Sequence, residues 1–179
     1  MFKVESDFMY RGYKCVTIFT DMGHRCGYVG VPEGHPLYGK NTESFLKVMM
    51  KDIEDQPLGN RGAWNIFRLP EGRNDPVKLG VYFDVHGGIT YSGDGRKTNY
   101  PVEENDLWWI GFDCAHYGDC PDYETLEMLW PNDKTVQHRL EDKWVIVAED
   151  STVRTLEYTI QECKNLVDQI IDLVEKYYR

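Results

Sequence analysis

Short runs of bulky β-formers, each broken by glycine or polar turns, fill the first two thirds of the chain, and one long apolar stripe at helical spacing closes it. Tyr13–Thr20, with Val16, Ile18 and Phe19, reads as a strand. Asp21-Met22-Gly23 is a turn, and Arg25–Val31 reads as the paired strand. Gly27 and Gly30 interrupt that second strand, which marks a bulge or the close approach of a ligand or another backbone. Residues 32–40 hold two prolines and two glycines and predict a loop. Phe45, Val48, Met49 and Ile53 recur at helical spacing behind Asn41 or Thr42 as cap, so a short helix is expected there, ending before Pro57.

Residues 63–69 read as a third strand and 79–85 as a fourth, with Val81, Phe83 and Val85 on one face and Tyr82 and Asp84 on the other. Residues 107–112 form a fifth, residues 123–130 a short helix or irregular lid, and residues 144–148 a last short strand. Val153, Leu156, Ile160, Cys163, Val167, Ile170, Val174 and Tyr177 step by alternating threes and fours. A long C-terminal helix over residues 153–178 follows, capped by Asp150 or Ser151. Its stripe is broad enough to pack on the domain's own sheet and to meet another subunit, so a homo-oligomer is expected. The fold class is α+β: one domain over residues 1–179, a mainly antiparallel sheet of five to six strands, one short helix and the long C-terminal helix.

Composition narrows the partners. The net charge of -10 opposes a polyphosphate backbone, and Arg96-Lys97 is the only dense cationic pair, so polymeric nucleic acid is not expected. A small anion remains compatible, because backbone N–H groups and one or two arginines can hold it locally. No apolar run approaches the roughly 20 residues of a bilayer span, and residues 1–10 do not read as a signal peptide, so no membrane partner and a cytoplasmic setting are expected. Five scattered cysteines without a CxxC pair argue against a structural zinc knuckle, and Cys15 and Cys163 read as small buried hydrophobes.

Candidate chemistry concentrates in two turns launched from apolar runs: Asp84 to Gly93, holding His86-Gly87-Gly88, and Trp108 to Pro121, holding Asp113-Cys114-Ala115-His116 and Asp119. His86, Asp113, His116 and Asp119 are ligand types for a divalent metal, with Asp84 as outer support, although the spacing matches no known zinc signature. Cys114 lies two residues before His116 but reads as packing rather than as a nucleophile. For ligand binding, His86, Gly87 and Gly88 with Thr90, Tyr91 and Ser92 offer N–H groups, hydroxyls and a ring that can cradle phosphate or ribose. Tyr28, Tyr38 and Trp109 can stack a base. His35 can wall the pocket, while Arg25, Lys40, Arg96 and Arg154 can supply positive charge. No cofactor is named by these residues.

The same stretches resemble a family of small proteins carried mostly by bacteriophages and prophages. The resemblance rests on Gly27-Tyr28-Val29-Gly30-Val31-Pro32 with His35-Pro36-Leu37-Tyr38-Gly39, on Val85 through Gly93, and on Trp108 through Asp119. A tail of Arg154-Thr155-Leu156-Glu157-Tyr158 with Glu162-Cys163 completes it. It implies a phage context, a single domain and residence in the host cytoplasm, but no activity. By that context the expected function is anti-defence: a non-catalytic, oligomeric sponge that sequesters a small nucleotide-derived immune signal. The alternatives are a metal-assisted hydrolase of a nucleotide or phosphoester, and a protein-binding inhibitor of a host defence enzyme.

Overall fold

In the computed structural model, which describes residues 1–56, 59, 65–98, 100–102, 106–141 and 150–179, five antiparallel strands make the main sheet. They are β1 (Phe2–Tyr10), β2 (Tyr13–Thr20), β3 (Arg25–Val31), β6 (Tyr91–Asp94) and β7 (Trp108–Asp113), in the spatial order β1-β2-β3-β7-β6. A two-stranded sheet joins β4 (Phe45–Met49) to β5 (Pro76–Lys78). The helices are α1 (Leu79–Tyr82), α2 (Gly95–Thr98), α3 (Tyr123–Leu129), α4 (Lys134–Glu141) and the long α5 (Leu156–Tyr177). A short parallel pair, β8 (Asp119–Cys120) with β9 (Thr152–Val153), stitches the chain after β7 to the chain before α5.

Period-two alternation gives the main sheet two apolar faces. Cys15, Val29, Val31, Ile110 and Phe112 face α5, against Cys163, Leu166, Val167, Ile170 and Leu173, all buried. Each fully buried Leu, Ile or Val there contributes about 1.5–3 kcal/mol. Val16, Ile18, Cys26, Tyr28 and Trp109 form a smaller cluster on the other face, and Phe19 packs with Leu126 and Val136 under α3 and α4. Gly27 admits neither ligand nor bulge: a Cβ there would stand 2.4 Å from the Phe112 ring and 2.7 Å from Cys163 Sγ. The missing side chain lets Phe112 and α5 close onto β3.

Several expected elements differ. Residues 45–49 are strand rather than helix, because Leu46 and Val48 are buried while Phe45 and Lys47 are exposed, which is a period of two. Residues 79–85 are one helical turn followed by extended chain, pinned where Leu79 and Gly80 donate to Ser44 O and Thr42 O. Val81, Phe83 and Val85 are nevertheless all buried. Asn65 to Leu69 turn rather than extend, with Arg68 N–H donating to Asn65 O, and the start of that expected strand lies outside the described residues, as does the strand expected at 144–148. Strands β1 and β6 and helix α4 have no counterpart in the periodicity. Helix α5 begins at Leu156 and not at Val153, because Thr155 caps it by accepting from Tyr158 N–H. All five cysteines are free, and Cys15, Cys26, Cys114 and Cys163 are buried.

Candidate metal centre

The two turns converge. His86 follows the extended chain after α1, and His116 and Asp119 follow β7. The two imidazole centroids lie 5.6 Å apart. One donor atom from each of His86, His116 and Asp119 can be chosen so that all lie within 4.8 Å of one another. Asp119 is the hub, with its side chain only 1 % exposed. Its Oδ2 is 2.7 Å from His86 Nε2 and accepts from the backbone N–H of His116 at 2.9 Å, while Oδ1 accepts from Arg154 Nε at 2.8 Å. Burial alone pushes this carboxyl up, but the bonds from His86, Arg154 and the His116 backbone outweigh it and hold Asp119 well below the usual carboxylate range.

Gly87 makes the approach of His116 sterically allowed. A Cβ at Gly87 would stand 2.0 Å from His116 Cε1, and the residue has φ +67°. The ring therefore lies flat against the backbone where a side chain would be, and Asn65 Nδ2 donates to Gly87 O at 2.8 Å to hold that turn. His116 Nδ1 is buried and has no hydrogen-bond partner among the described residues. It lies 3.7 Å from Asp113 Oδ1 and 3.9 Å from Asp119 Oδ2, too far for hydrogen bonds. Zinc bonds of about 2.0–2.2 Å in tetrahedral geometry place ligand atoms roughly 3.4 Å apart. To reach it the 3.9 Å pair would close and the 2.7 Å pair open by under 1 Å, and the His86 and His116 donors, within 4.8 Å of each other, would take the same spacing. The donor set, two imidazoles and one carboxylate, suits zinc or another divalent first-row ion with positions left for water and substrate.

Helix α5 supplies the surroundings. Tyr158 and Glu162 are four residues apart on one face of the helix, and Arg154 lies just before its cap. Glu162 Oε2 accepts from His86 backbone N–H at 2.8 Å, Tyr158 Oη lies 2.9 Å from His86 Nδ1, and Arg154 holds Asp119. Burial pushes the Tyr158 phenol up to about 12. His24, from the turn before β3, also borders the cluster. Burial lowers its imidazole, against a bond to the Cys114 backbone and the charges of Asp119 and Asp113. Tyr158, Glu162 and His24 were not among the expected site residues. The pointer to the first two was the i, i+4 step of Tyr158 and Glu162, with Glu162 set beside the apolar stripe of α5.

The other expected ligand residues disperse. Tyr28 and Trp109 are 3 % and 0 % exposed, so neither offers a free ring face, and Tyr28 Oη bonds Tyr100 Oη. The His86-Gly87-Gly88 turn is not an open phosphate cradle, because His86 N–H goes to Glu162, Gly88 N–H to Val85 O and Thr90 N–H to Gly111 O. Tyr91 packs its ring against Tyr28 and Tyr100. Ser92 Oγ donates to Lys40 O and receives Trp108 Nε1, and Tyr38 leans on Trp108 with Arg96 on its hydroxyl. That patch lies at the Trp108 end of β7, about 17 Å along the strand from Asp113. His35 is tied to its own loop and to β2, its Nδ1 accepting from Leu37 N–H and its Nε2 meeting Tyr13 Oη. Arg25 is buried on Glu5 and Asp122 as a structural ion pair. Asp84 does not support a histidine: its backbone is pinned by Asn165 and Gln169, and its carboxylate lies against Gly59. Cys114 is buried and burial pushes its thiol up, which disfavours a thiolate nucleophile.

The fold and site together define an α+β domain that carries a two-histidine, one-carboxylate cluster at the end of an antiparallel sheet. Among protein-family models, curated proteins and solved structures, nothing matches the chain. Among the described residues, no helix is long and apolar enough to cross a membrane.

Proposed function

We propose that the protein is a metal-assisted hydrolase of a small phosphoester, with nucleotides as the substrate class. The observation that carries this reading is the buried Nδ1 of His116 beside Asp119 and His86, which has no hydrogen-bond partner among the described residues, because such a nitrogen is costly unless a bound group completes it. His86, His116 and Asp119 would hold the ion, which supplies a water made acidic enough to attack near neutral pH. Among the described residues the Arg154 guanidinium hydrogen-bonds through Nε alone while lying over the Tyr158 ring, so its outer N–H groups would be the ones to meet a phosphoryl oxygen. Asp113, whose Oδ1 is 3.7 Å from His116 Nδ1, would be the nearby carboxylate to take a proton from the attacking water. In the phage setting that the sequence resemblance implies, the natural substrate would be a nucleotide-derived immune signal in the host cytoplasm.

Tyr117 supports the nucleotide assignment. It lies between His116 and Asp119 and is 99 % exposed, which leaves its ring free to stack a base at the site's edge. Y117A is expected to raise KM for a nucleotide about tenfold while leaving a base-free sugar phosphate unaffected. Equal effects on both substrates would remove the base from the proposal.

The test is direct. Protein stripped with a chelator is loaded with zinc, its metal content is measured, and it is incubated with a panel of cyclic and linear nucleotides. We expect close to one zinc per chain, lost in H116A, and a changed product in the loaded protein alone. Sequestration of an intact signal is the second reading, favoured by the partly open Tyr38–Trp108 pair with Arg96 beside it. Heating a nucleotide complex separates the two, because the sponge releases its ligand unchanged. No uptake of any nucleotide would leave the protein-binding inhibitor.

A further inference from the structure

His86 has a partner on each ring nitrogen: Asp119 Oδ2 at 2.7 Å from Nε2 and Tyr158 Oη at 2.9 Å from Nδ1. An ionised carboxylate only accepts, so the proton sits on Nε2. In a neutral ring Nδ1 then accepts, and Tyr158 must donate to it. A cation bound at Nε2 reverses this. The proton of a neutral imidazole then moves to Nδ1, and the group opposite must become an acceptor. Among side chains, a carboxylate in that place could only accept and an ammonium could only donate, but a hydroxyl rotates and does either.

The surroundings keep Tyr158 in place for both states. Thr155 Oγ1 accepts from Tyr158 N–H and fixes the first turn of α5, and the Tyr158 and His86 rings meet edge to face at 89°. Arg154 lies over the Tyr158 ring at 5.1 Å, and Glu162, one turn along the same face from Tyr158, anchors the His86 backbone. The phenolic oxygen can turn its proton without moving the histidine.

We propose that Tyr158 is a positioning residue that allows His86 to exchange tautomers on cation binding, donating to Nδ1 in the cation-free protein and accepting from Nδ1–H in the loaded one. This rests on the metal-centre reading above. Loss of such a supporting partner lowers metal affinity about 10–100-fold.

The test uses the full chain, with zinc alone as the probe. Imidazole nitrogen NMR on wild-type protein should show His86 protonated at Nε2 without zinc and at Nδ1 with it. Y158F should keep its melting temperature within a few degrees and bind zinc about 10–100-fold more weakly. If zinc binds the wild type and Y158F equally, the role of Tyr158 is overturned and the metal centre stands; if the loaded wild type retains the Nε2 proton, His86 is not a ligand through Nε2, and both the tautomer exchange and the place of His86 in the centre are overturned. If the wild type takes up no zinc, as H116A should not, the metal centre falls and the inference falls with it. The NMR measurement needs no variant, so poor folding of Y158F would not leave the question open.

Discussion

D119A is expected to be the most damaging single substitution at the site, lowering stability by about 3 kcal/mol. The Asp119 carboxylate accepts from His86, from the His116 backbone and from Arg154, and its removal leaves buried donors without acceptors. Arg154 is 30 % exposed and can turn to water, so the figure rests on the two inner donors and not on the ion pair. For a domain of this size the melting temperature should fall by roughly 6–12 °C. Zinc affinity should fall further than the roughly 10–100-fold typical of an outer partner, because a ligand is gone. The same carboxylate sets an acid limit. Its folded pKa is held below the unfolded value of about 4, so the stability it contributes is fully present above that pH and is lost as the pH falls towards the lowered folded value. The difference between urea melts of wild type and D119A should therefore hold above about pH 4 and shrink progressively as the pH falls below it. A D119A protein as stable as wild type at pH 7 would contradict the hub role.

G87A is expected to separate the site from the fold. The added methyl would fall 2.0 Å from His116 Cε1 and 2.4 Å from Nε2, so the ring must leave. Because the His116 side chain is 34 % exposed, it can swing outward without opening the core. The φ of +67° adds backbone strain, about 1–2 kcal/mol for an L residue. The expected result is a modest loss of stability with zinc binding reduced to that of H116A. G34A is the matched control: its φ is +88° and no atom lies within 4 Å of the new methyl, so it carries similar strain away from the site. G34A should lose comparable stability and keep full zinc affinity. If G87A binds zinc as wild type does, His116 is not held as a ligand.

Much of this frame was legible in residue order. The spacing along α5 placed Cys163, Val167 and Ile170 inside, and they are buried. The run ending in Trp108 to Phe112 is strand β7, and the apolar runs before His86 and His116 brought both histidines to one place. The misreadings share a cause. Phe45, Val48 and Met49 fit a helical period as well as Leu46 and Val48 fit an alternating one, and pairing with Pro76–Lys78 decided between them. Tyr28 and Trp109 carry ring faces in any list of residues, but only packing shows that those faces are covered.

By itself the sequence determined which residues are apolar and at what period they recur, and hence an antiparallel sheet, a long C-terminal helix and two polar turns at the ends of apolar runs. The tertiary structure decided which polar groups meet: Asp119 with His86 and Arg154, Tyr158 with His86, and His116 against the bare backbone of Gly87. The physical reason is range. Periodicity reports how each residue relates to water and to its neighbours a few positions away, whereas a donor and its acceptor 33 or 72 positions apart are joined only by the pairing of strands and the docking of a helix.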